Sequence, residues 1–278
     1  MDTRFWGPSG WRLLHLITFA TSDIDNDHLQ LFFRNLPYVL PCKFCRASLT
    51  DYYAVDPIPS NKVEFPHWLY RIHNRVNGKL REQKLLHTPD PAWKDVKKHY
   101  TELYNAQCTK GGMIGWDFLF SVAFTTPCPQ VISTPMPNPP PSSSLKTPEL
   151  RNRWGTITRK ERLQYIQDWW ASIPYVLPIQ EWRKAWHTVV SPSPSLEAGR
   201  HAITAWLYKA ETAMCAALKE SVPHSSFDGL CKELKAFSSG CGKTRSIKVK
   251  TCRSKVTHTR KTLKKHRRSA YYATGGFL

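Results

Sequence analysis

Residues 36–45 read Leu36-Pro37-Tyr38-Val39-Leu40-Pro41-Cys42-Lys43-Phe44-Cys45. Pro41 favours a helix start, because its ring presets φ and its missing N–H would have no partner in a first helical turn. We therefore expect Cys42 in the first turn of a helix, where unpaired backbone N–H groups stabilise a thiolate. Cys45 then lies three residues further along the same helix face, so a disulfide between the two cysteines forms easily and exchanges readily.

The Cys-x-x-Cys spacing also occurs in zinc sites, so half of a metal site is the alternative interpretation of this pair. A site with four ligands needs a second clustered pair. The other cysteines are scattered along the chain: Cys108, Cys128, Cys215, Cys231, Cys241 and Cys252. The sequence therefore predicts a redox pair and no metal site.

A second informative stretch follows 22 residues later and predicts one helix with a buried face and a polar flank. Apolar residues recur there at helical spacing: Trp68, Leu69, Ile72, Val76 and Leu80. His73, Asn74 and Asn77 add polar groups beside them. Each of these three taken alone is more often a satisfied polar residue than a ligand. Together they indicate a polar, partly aromatic ligand such as a nucleotide or a flavin.

At this point three motifs in order carry a resemblance to a known family. They are Trp6-Gly-Pro-Ser-Gly-Trp11-Arg-Leu-Leu-His15, Tyr38-Val-Leu-Pro-Cys-x-x-Cys45 and Trp68-Leu-Tyr-x-x-His-Asn-x-Val-Asn-x-Lys-Leu80. Over about residues 4–105 the chain resembles the Erv/ALR sulfhydryl oxidases, in the form carried by large DNA viruses. The resemblance implies an all-α fold, a bundle of four to five helices that lodges the isoalloxazine ring of FAD beside the cysteine pair.

The resemblance also implies roles for single residues. Cys42 is expected to be the exposed cysteine that takes electrons from substrate thiols, and Cys45 is expected to lie against the flavin. The FAD contacts that it implies are Trp11, His15, Trp68, His73, Asn74, Asn77, Lys79, Leu80 and Trp93.

Two places depart from the family pattern. Tyr70 and His87 stand where many relatives have a disulfide that clamps the bundle. Arg81-Glu82 replaces the Gly-Lys that the family has after its Lys-Leu step, so we expect Arg81 or Lys84 to contact the FAD phosphates instead.

The function implied by the resemblance is an FAD-dependent thiol oxidase (thiol:oxygen oxidoreductase). Its expected partners are protein dithiol substrates or a thioredoxin-like carrier. Electrons are expected to pass from Cys42 and Cys45 to FAD and then to O2, which gives H2O2. The alternative is a virion structural or nucleic-acid-associated protein that keeps an oxidase-like scaffold. The intact cysteine pair, together with His15 and the polar residues of the second stretch, favours the enzyme.

Helical periodicity predicts five helices in the first hundred residues. Their expected extents are 9–21 with Ser9 as the N-cap, 27–38, 42–53, 62–83 and a fifth after Pro91. No strand-like alternation is evident, which weakens a thioredoxin fold, the main rival for a Cys-x-x-Cys protein. We assign residues 1–106 to this first domain.

The second half of the chain repeats the motifs of the first. Gly10-Trp11 recurs as Gly115-Trp116, the Pro-Tyr-Val-Leu-Pro of residues 37–41 recurs at 174–178, and Trp68-Leu-Tyr recurs as Trp206-Leu-Tyr. In this register the redox and ligand residues are replaced: Phe120 for His15, Ile179 for Cys42, Trp182 for Cys45, Glu211 for His73, Thr212 for Asn74 and Cys215 for Asn77. We predict that residues 112–222 form a degenerate, flavin-free pseudo-domain of the same helical fold. Family members commonly pair two bundles, so this copy is expected to take the second subunit's place in a pseudo-dimer, or to accompany a homodimer.

Two segments fall outside these helical units. Residues 127–148 form a Pro-rich insertion expected on the surface, and residues 223–278 are expected to be a basic, largely disordered tail. From residue 241 to 278 there are twelve Lys or Arg and no Asp or Glu, out of a net charge of +19, which favours attraction to nucleic acid, an acidic partner or an anionic membrane. Cys108 with Cys128, or Cys241 with Cys252, could form a shuttle disulfide.

Length and composition bound the location of the protein. A chain of 278 residues with 41% hydrophobic residues can form hydrophobic cores large enough for it to fold without disulfides. The N-terminus lacks a basic region followed by a clean apolar stretch, so we expect no signal peptide and no transmembrane segment. The expected location is the host cytoplasm or the virion, and not a secreted one.

Overall fold

The computed structural model describes residues 1–20, 23–109, 112–127 and 157–238. These ranges contain ten α-helices: α1 (Thr3–Phe19), α2 (Asn26–Val39), α3 (Lys43–Val55), α4 (Phe65–Glu82), α5 (Trp93–Thr109), α6 (Trp116–Phe124), α7 (Arg159–Val176), α8 (Gln180–Val189), α9 (Gly199–Leu218) and α10 (Phe227–Phe237). Short 3-10 turns at Lys62–Glu64 and Leu196–Ala198 precede α4 and α9. The predicted all-α fold is confirmed. None of the described helices is long and apolar enough to cross a membrane.

Helix α1 begins six residues before the predicted start at Ser9. Asp2 is the N-cap, and its side chain accepts the backbone N–H of Arg4 at 2.9 Å and also pairs with the Arg4 guanidinium. Pro8 lies inside the helix, where it removes one backbone hydrogen bond without ending the helix. The Asp2 cap therefore extends the helix over the motif that begins at Trp6.

Helix α3 begins one residue later than predicted, and this changes the position of both cysteines. Cys42 is the N-cap and has an extended backbone, with φ −111° and ψ 124°. Its carbonyl accepts the N–H of Arg46 at 3.0 Å, which closes the first turn. Cys45 is then the third helical residue, so it is Cys45 and not Cys42 that lies within the first turn. Pro41 marks the bend before the helix and not its first residue.

Helices α1–α5 form a first bundle and helices α6–α10 a second bundle. Helix α2 packs along α7, and α1 packs against α6. Phe32 of α2 stacks on Trp169 of α7, with ring centroids 5.3 Å apart. In the register set by the two Pro-Tyr-Val-Leu-Pro motifs these two residues are counterparts. A position that contacts its own counterpart is what a local two-fold arrangement produces.

The neighbouring contacts between the two bundles come in counterpart pairs as well. Tyr38 stacks on Tyr165 at 4.1 Å, and His28 stacks on Tyr175 at 4.2 Å. In the same register Tyr38 corresponds to Tyr175 and His28 to Tyr165. The two contacts are therefore related to each other by the same local two-fold arrangement, with the Phe32–Trp169 contact between them.

Helices α1 and α6 show the same reciprocity through two glycines. A Cβ at Gly10 would lie 3.2 Å from the Phe118 ring, and a Cβ at Gly115 would lie 2.6 Å from the Leu13 side chain. Gly10 corresponds to Gly115, and Leu13 to Phe118. Gly115 also has φ +101°, a conformation that side chains rarely adopt. The two bundles approach so closely here that they share one continuous hydrophobic core.

The predicted tail boundary at residue 223 is wrong, because the ordered chain continues through α10. Ser226 caps this helix, and Leu230 and Leu234 are buried. At its end Phe237 stacks on Phe5 at 4.6 Å, and the Asp2 N–H donates to the Phe237 carbonyl at 2.8 Å. The apolar stripe of α10 carries the chain back to the start of α1. The tail from residue 239 and the Pro-rich insertion from residue 128 lie outside the described residues.

Candidate functional site

A cleft opens between α1, α3 and α4 of the first bundle. The space between its walls, with the open mouth included, is about 1180 Å³. Six of the predicted site residues line it: Trp11, Cys45, His73, Asn77, Lys79 and Leu80. Apolar and aromatic side chains form most of the remaining wall, among them Phe44, Tyr52 and Val76. The cleft therefore suits a large, flat and mostly apolar group.

One wall of the cleft is a stack of rings. Trp11 lies parallel to His73, with centroids 3.7 Å apart and planes 9° apart. Behind them, His15 Nε2 lies 3.0 Å from His73 Nδ1, and the His15 ring stacks on Tyr100 at 4.6 Å. Burial, with a smaller contribution from the charge of His99, lowers the pKa of His15 to about 3. His15 is therefore neutral at neutral pH, and one imidazole donates to the other.

Asn77 is fixed by an acid that the sequence did not single out. Its Nδ2 donates to Asp90 Oδ1 at 2.8 Å, and Arg81 pairs with the same carboxylate at 2.5 Å. Arg81 is therefore engaged away from the cleft. Lys84 is exposed and does not line the cleft either. The expectation that one of these two cations replaces the family's phosphate contact finds no support in this geometry.

Lys79 is the one Lys or Arg side chain among the described cleft residues. Its Nζ donates to Ser48 Oγ at 2.6 Å, which links α4 to α3 across the cleft. Tyr52 lines the same region, and burial, followed by the nearby charges of Asp51 and Glu82, raises its pKa to about 12. Ser48, Tyr52 and Phe44 were missed by the sequence interpretation. They recur every four residues on α3, from Phe44 between the two cysteines onward, and this placement on one helix face is the signal that would have identified them.

Five of the predicted site residues lie away from the cleft lining: His15, Cys42, Trp68, Asn74 and Trp93. Trp68 is fully buried, and its Nε1 donates to the Asp56 carbonyl at 3.0 Å, so it holds α4 against the end of α3. Trp93 packs on Tyr70 and Phe19 on the far side of α4. The structure thus gives both tryptophans a packing role, whereas His15 supports the cleft wall from behind.

The two cysteines differ in environment, in the opposite sense to the prediction for Cys42. Cys45 is partly exposed and faces the cleft, whereas Cys42 is only 9% exposed. Cys42 is covered because it caps α3 at the point where both bundles meet in one core. The guanidinium of Arg46 follows directly and is buried next to both cysteines. Burial lowers the pKa of Arg46 to about 10, and the charges of Cys42 and Cys45 act against that decrease.

In the second bundle, side chains occupy the place that corresponds to the cleft wall. Glu211, the counterpart of His73, is fully buried, and its Oε1 lies 2.8 Å from His224 Nδ1. Burial opposes protonation of His224, but the hydrogen bond and charge of Glu211 raise its pKa. Phe120, the counterpart of His15, meets the His224 ring edge-on at 5.1 Å. In the described part of the chain, no group of three or more His, Cys, Asp or Glu side chains is arranged to hold a metal ion.

Most of the residues that line this cleft lie in the part of the chain that is similar to known proteins. Residues 8–101 match the model of the Erv1/Alr family. A protein named as an FAD-linked sulfhydryl oxidase, 347L, of Invertebrate iridescent virus 6 is 30% identical over 92 residues, which cover 29% of this chain and 83% of that protein. The mitochondrial FAD-linked sulfhydryl oxidase ERV1 of Saccharomyces cerevisiae is 27% identical over 100 residues, which cover 34% of this chain and 53% of that protein. No solved structure matches the chain significantly.

The fold and the site thus define a helical bundle with a dithiol at the edge of an aromatic cleft. The chain belongs to the Erv1/Alr family. The matched region spans about half of the yeast relative's length, and the family model covers the first bundle only.

Proposed function

We propose that the protein is an FAD-dependent thiol oxidase that forms disulfide bonds in protein substrates. One observation carries the proposal: Cys45 of a Cys-x-x-Cys pair faces a cleft whose wall is the stacked Trp11 and His73 rings. Family membership and the names of the two relatives support the same activity. The similarity to an iridescent-virus protein supports a viral origin, with the host cytoplasm or the virion as the place of action.

The chemistry of the lining residues fits FAD. The ring stack and the apolar wall offer flat surface to an isoalloxazine or adenine ring. Asn77 adds an amide, and Lys79 adds a cation for a phosphate. When bound, FAD supplies two-electron redox chemistry, with O2 as the proposed final acceptor and H2O2 as the product.

The protein's own residues carry the exchange with substrate. A substrate thiolate attacks the Cys42 sulfur of the Cys42–Cys45 disulfide, a mixed disulfide forms, and Cys45 leaves as a thiolate at the edge of the cleft. The second substrate thiol loses its proton to solvent and attacks the substrate sulfur of the mixed disulfide, so Cys42 leaves as a thiolate. The substrate loses two electrons and the cysteine pair gains them. We assign the exchange to Cys42 because a bound cofactor would cover Cys45 in the cleft; since Cys42 is only 9% exposed, the substrate thiolate would have to reach its sulfur at the junction of the two bundles.

The second bundle, in this proposal, is a flavin-free pseudo-domain that stands where a second subunit stands in paired relatives. The counterpart contacts around Phe32 and Trp169 support a two-fold pairing within one chain. The buried Glu211–His224 pair supports the loss of the ligand site. We expect the full chain to be a monomer by light scattering. A homodimer paired through α2 would contradict this arrangement, because α7 already covers that face.

The activity is tested with the full-length protein. Purified protein should show flavin absorption and should consume O2 when a dithiol is supplied. Cys42→Ser and Cys45→Ser should each abolish O2 uptake, whereas Cys231→Ser on α10 should retain it as a matched cysteine control. Folded protein that stays colourless after incubation with FAD, or full uptake in Cys45→Ser, would rule the proposal out.

A further inference from the structure

Two buried arginines, one from each bundle, bind the segment that leads into the cysteine pair. Arg46 Nη1 donates to the Leu40 carbonyl at 2.8 Å, and Arg162 Nε donates to the Tyr38 carbonyl at 2.9 Å. Arg46 is 7% exposed and Arg162 is 4% exposed. Both guanidinium groups are thus buried, and the carbonyls that they bind are two residues apart in the chain.

Burial of these charges is costly, because a buried guanidinium loses its hydration. A nearby anion can offset that loss. Within residues 1–20, 23–109, 112–127 and 157–238, neither Arg46 nor Arg162 forms an ion pair with a carboxylate. Carbonyl groups orient the guanidinium groups but leave their net charge in place. The groups that act on Arg46 in the anionic sense are the two sulfurs, Cys42 and Cys45.

Arg162 adds a second positive charge beside the segment that leads into the cysteine pair. Its own pKa is lowered well below the usual value, first by burial and then by the nearby charges of Arg46 and Arg159. Arg46 of α3 and Arg162 of α7 thus bring two cations to the segment that precedes α3. Lys43 lies between the two cysteines in the sequence, and the titratable groups that line the cleft with Cys45 are Tyr52 and Tyr53 of α3 and His73 and Lys79 of α4.

We propose that Arg46 and Arg162 are positioning residues that hold the Cys42–Cys45 pair in a positive potential and so make its disulfide a stronger oxidant of substrate thiols. Arg46 acts from the helix of the cysteines, and Arg162 acts from the second bundle. The second bundle then contributes a charge to the redox centre in addition to an apolar cover.

The effect enters at two points of the exchange. When the first substrate thiolate attacks, the S–S bond breaks and Cys45 leaves as an anion. When the second attacks the mixed disulfide, Cys42 leaves as an anion. A fixed positive charge favours each departure, because a thiolate with lower proton affinity leaves faster and the reduced form is stabilised. The proposal rests on the thiol oxidase function for its biological meaning, but the dithiol property it predicts exists without flavin or O2.

The chain offers a matched control in the second bundle. Arg183 is the counterpart of Arg46, and its Nη1 donates to the Leu177 carbonyl, the counterpart of Leu40, at 2.6 Å. Ile179 and Trp182 stand there in place of the cysteines. Arg183→Gln therefore removes the same structural contact without a thiol pair beside it.

The test measures the cysteine pair directly in the full-length protein under anaerobic conditions. The rate at which iodoacetamide alkylates Cys42 and Cys45 is followed against pH by peptide mass spectrometry, and the pair is equilibrated with dithiothreitol. For Arg46→Gln we expect the pH midpoint of alkylation to rise by about 1 unit, the lower end of the range for loss of a nearby opposite charge. The equilibrium constant for oxidising dithiothreitol should fall about tenfold, which is about 30 mV for a two-electron couple.

The other variants separate charge from structure. Arg162→Gln should shift both quantities in the same direction by a smaller amount, Arg46→Lys should restore most of the loss, and Arg183→Gln should change neither. If Arg46→Gln does not fold, Arg46→Met, whose long apolar side chain fills similar space, and Arg162→Gln decide the question. The proposal would be overturned if the folded variants that lack the Arg46 or Arg162 charge kept the wild-type pH midpoint of alkylation. It would also be overturned if Arg183→Gln shifted that midpoint equally. A colourless protein without O2 uptake would refute the oxidase function and leave these thiol measurements standing.

Discussion

Acidification should weaken the fold through His15, the residue behind the ring wall of the cleft. Its pKa is about 3 in the folded protein against 6.5 for an unperturbed histidine. A base whose pKa is lowered by folding is neutral in the folded state, so its contribution is complete above the unfolded pKa and is lost as the pH falls toward the folded pKa. From pH 8 to pH 4.5 the free energy of unfolding should fall by about 3 kcal/mol through this one group.

The test uses His15→Phe, because the second bundle carries Phe120 at the corresponding place. The phenyl ring keeps the stacking on Tyr100 but cannot hydrogen-bond His73. Urea denaturation at several pH values gives the free energy of unfolding of wild type and variant. Between pH 8 and pH 4.5 the wild type should lose about 3 kcal/mol more free energy of unfolding than the variant, because titrating groups that do not touch residue 15 contribute equally to both proteins. A wild type and a His15→Phe variant with parallel pH dependence would refute the reasoning.

Three further changes test other parts of the structure. Gly115→Ala should lower the free energy of unfolding by about 2–5 kcal/mol in urea titrations, because it combines a left-handed φ with a Cβ 2.6 Å from Leu13. Gly199→Ala, which has a positive φ but open space, should cost only about 1–3 kcal/mol, and an equal loss in both would remove the interface from the explanation. Leu234→Ala in α10 should cost about 2–5 kcal/mol, and a change below about 0.5 kcal/mol would mean that α10 is not part of the core. Lys79→Met should weaken FAD binding about tenfold in a fluorescence titration while riboflavin binding stays the same, since only FAD carries phosphates; equal losses for both ligands would argue against a phosphate contact.

Helical periodicity was sufficient to predict the five helices of the first bundle, since that signal is local. The helix of Trp68 and Leu80 and the helix after Pro91 lie where the apolar spacing predicts them. The start of α1 was misplaced because Ser9 was taken as the N-cap, whereas Asp2 caps the helix and Pro8 is tolerated inside it.

The cleft was predicted in part, and the exceptions have one physical cause. His73 and Asn77 face it as expected, yet Trp68 and Trp93, which the family pattern also suggested, are used for packing. A motif identifies the helix that carries a residue but not the neighbour that its ring meets.

Local sequence patterns could not predict the contacts between residues that are far apart in the chain. Arg162 binds a carbonyl 124 residues away, and nothing in its immediate neighbours indicates that it is buried. The burial of Cys42 has the same origin, because the exposure of a helix cap depends on which helices pack over it. The tail boundary failed for a simpler reason, since a high basic content beyond residue 241 hid the apolar stripe of α10.

The packing of α2 on α7 has a consequence for how the protein works at low abundance. Two separate chains dissociate when their concentration falls below the Kd of the pair, whereas two partners on one polypeptide meet at a local concentration that dilution leaves unchanged. The arrangement around Phe32 and Trp169 is therefore complete in the first molecule synthesised. Each half is also free to diverge, because a mutation in one is no longer copied into the other.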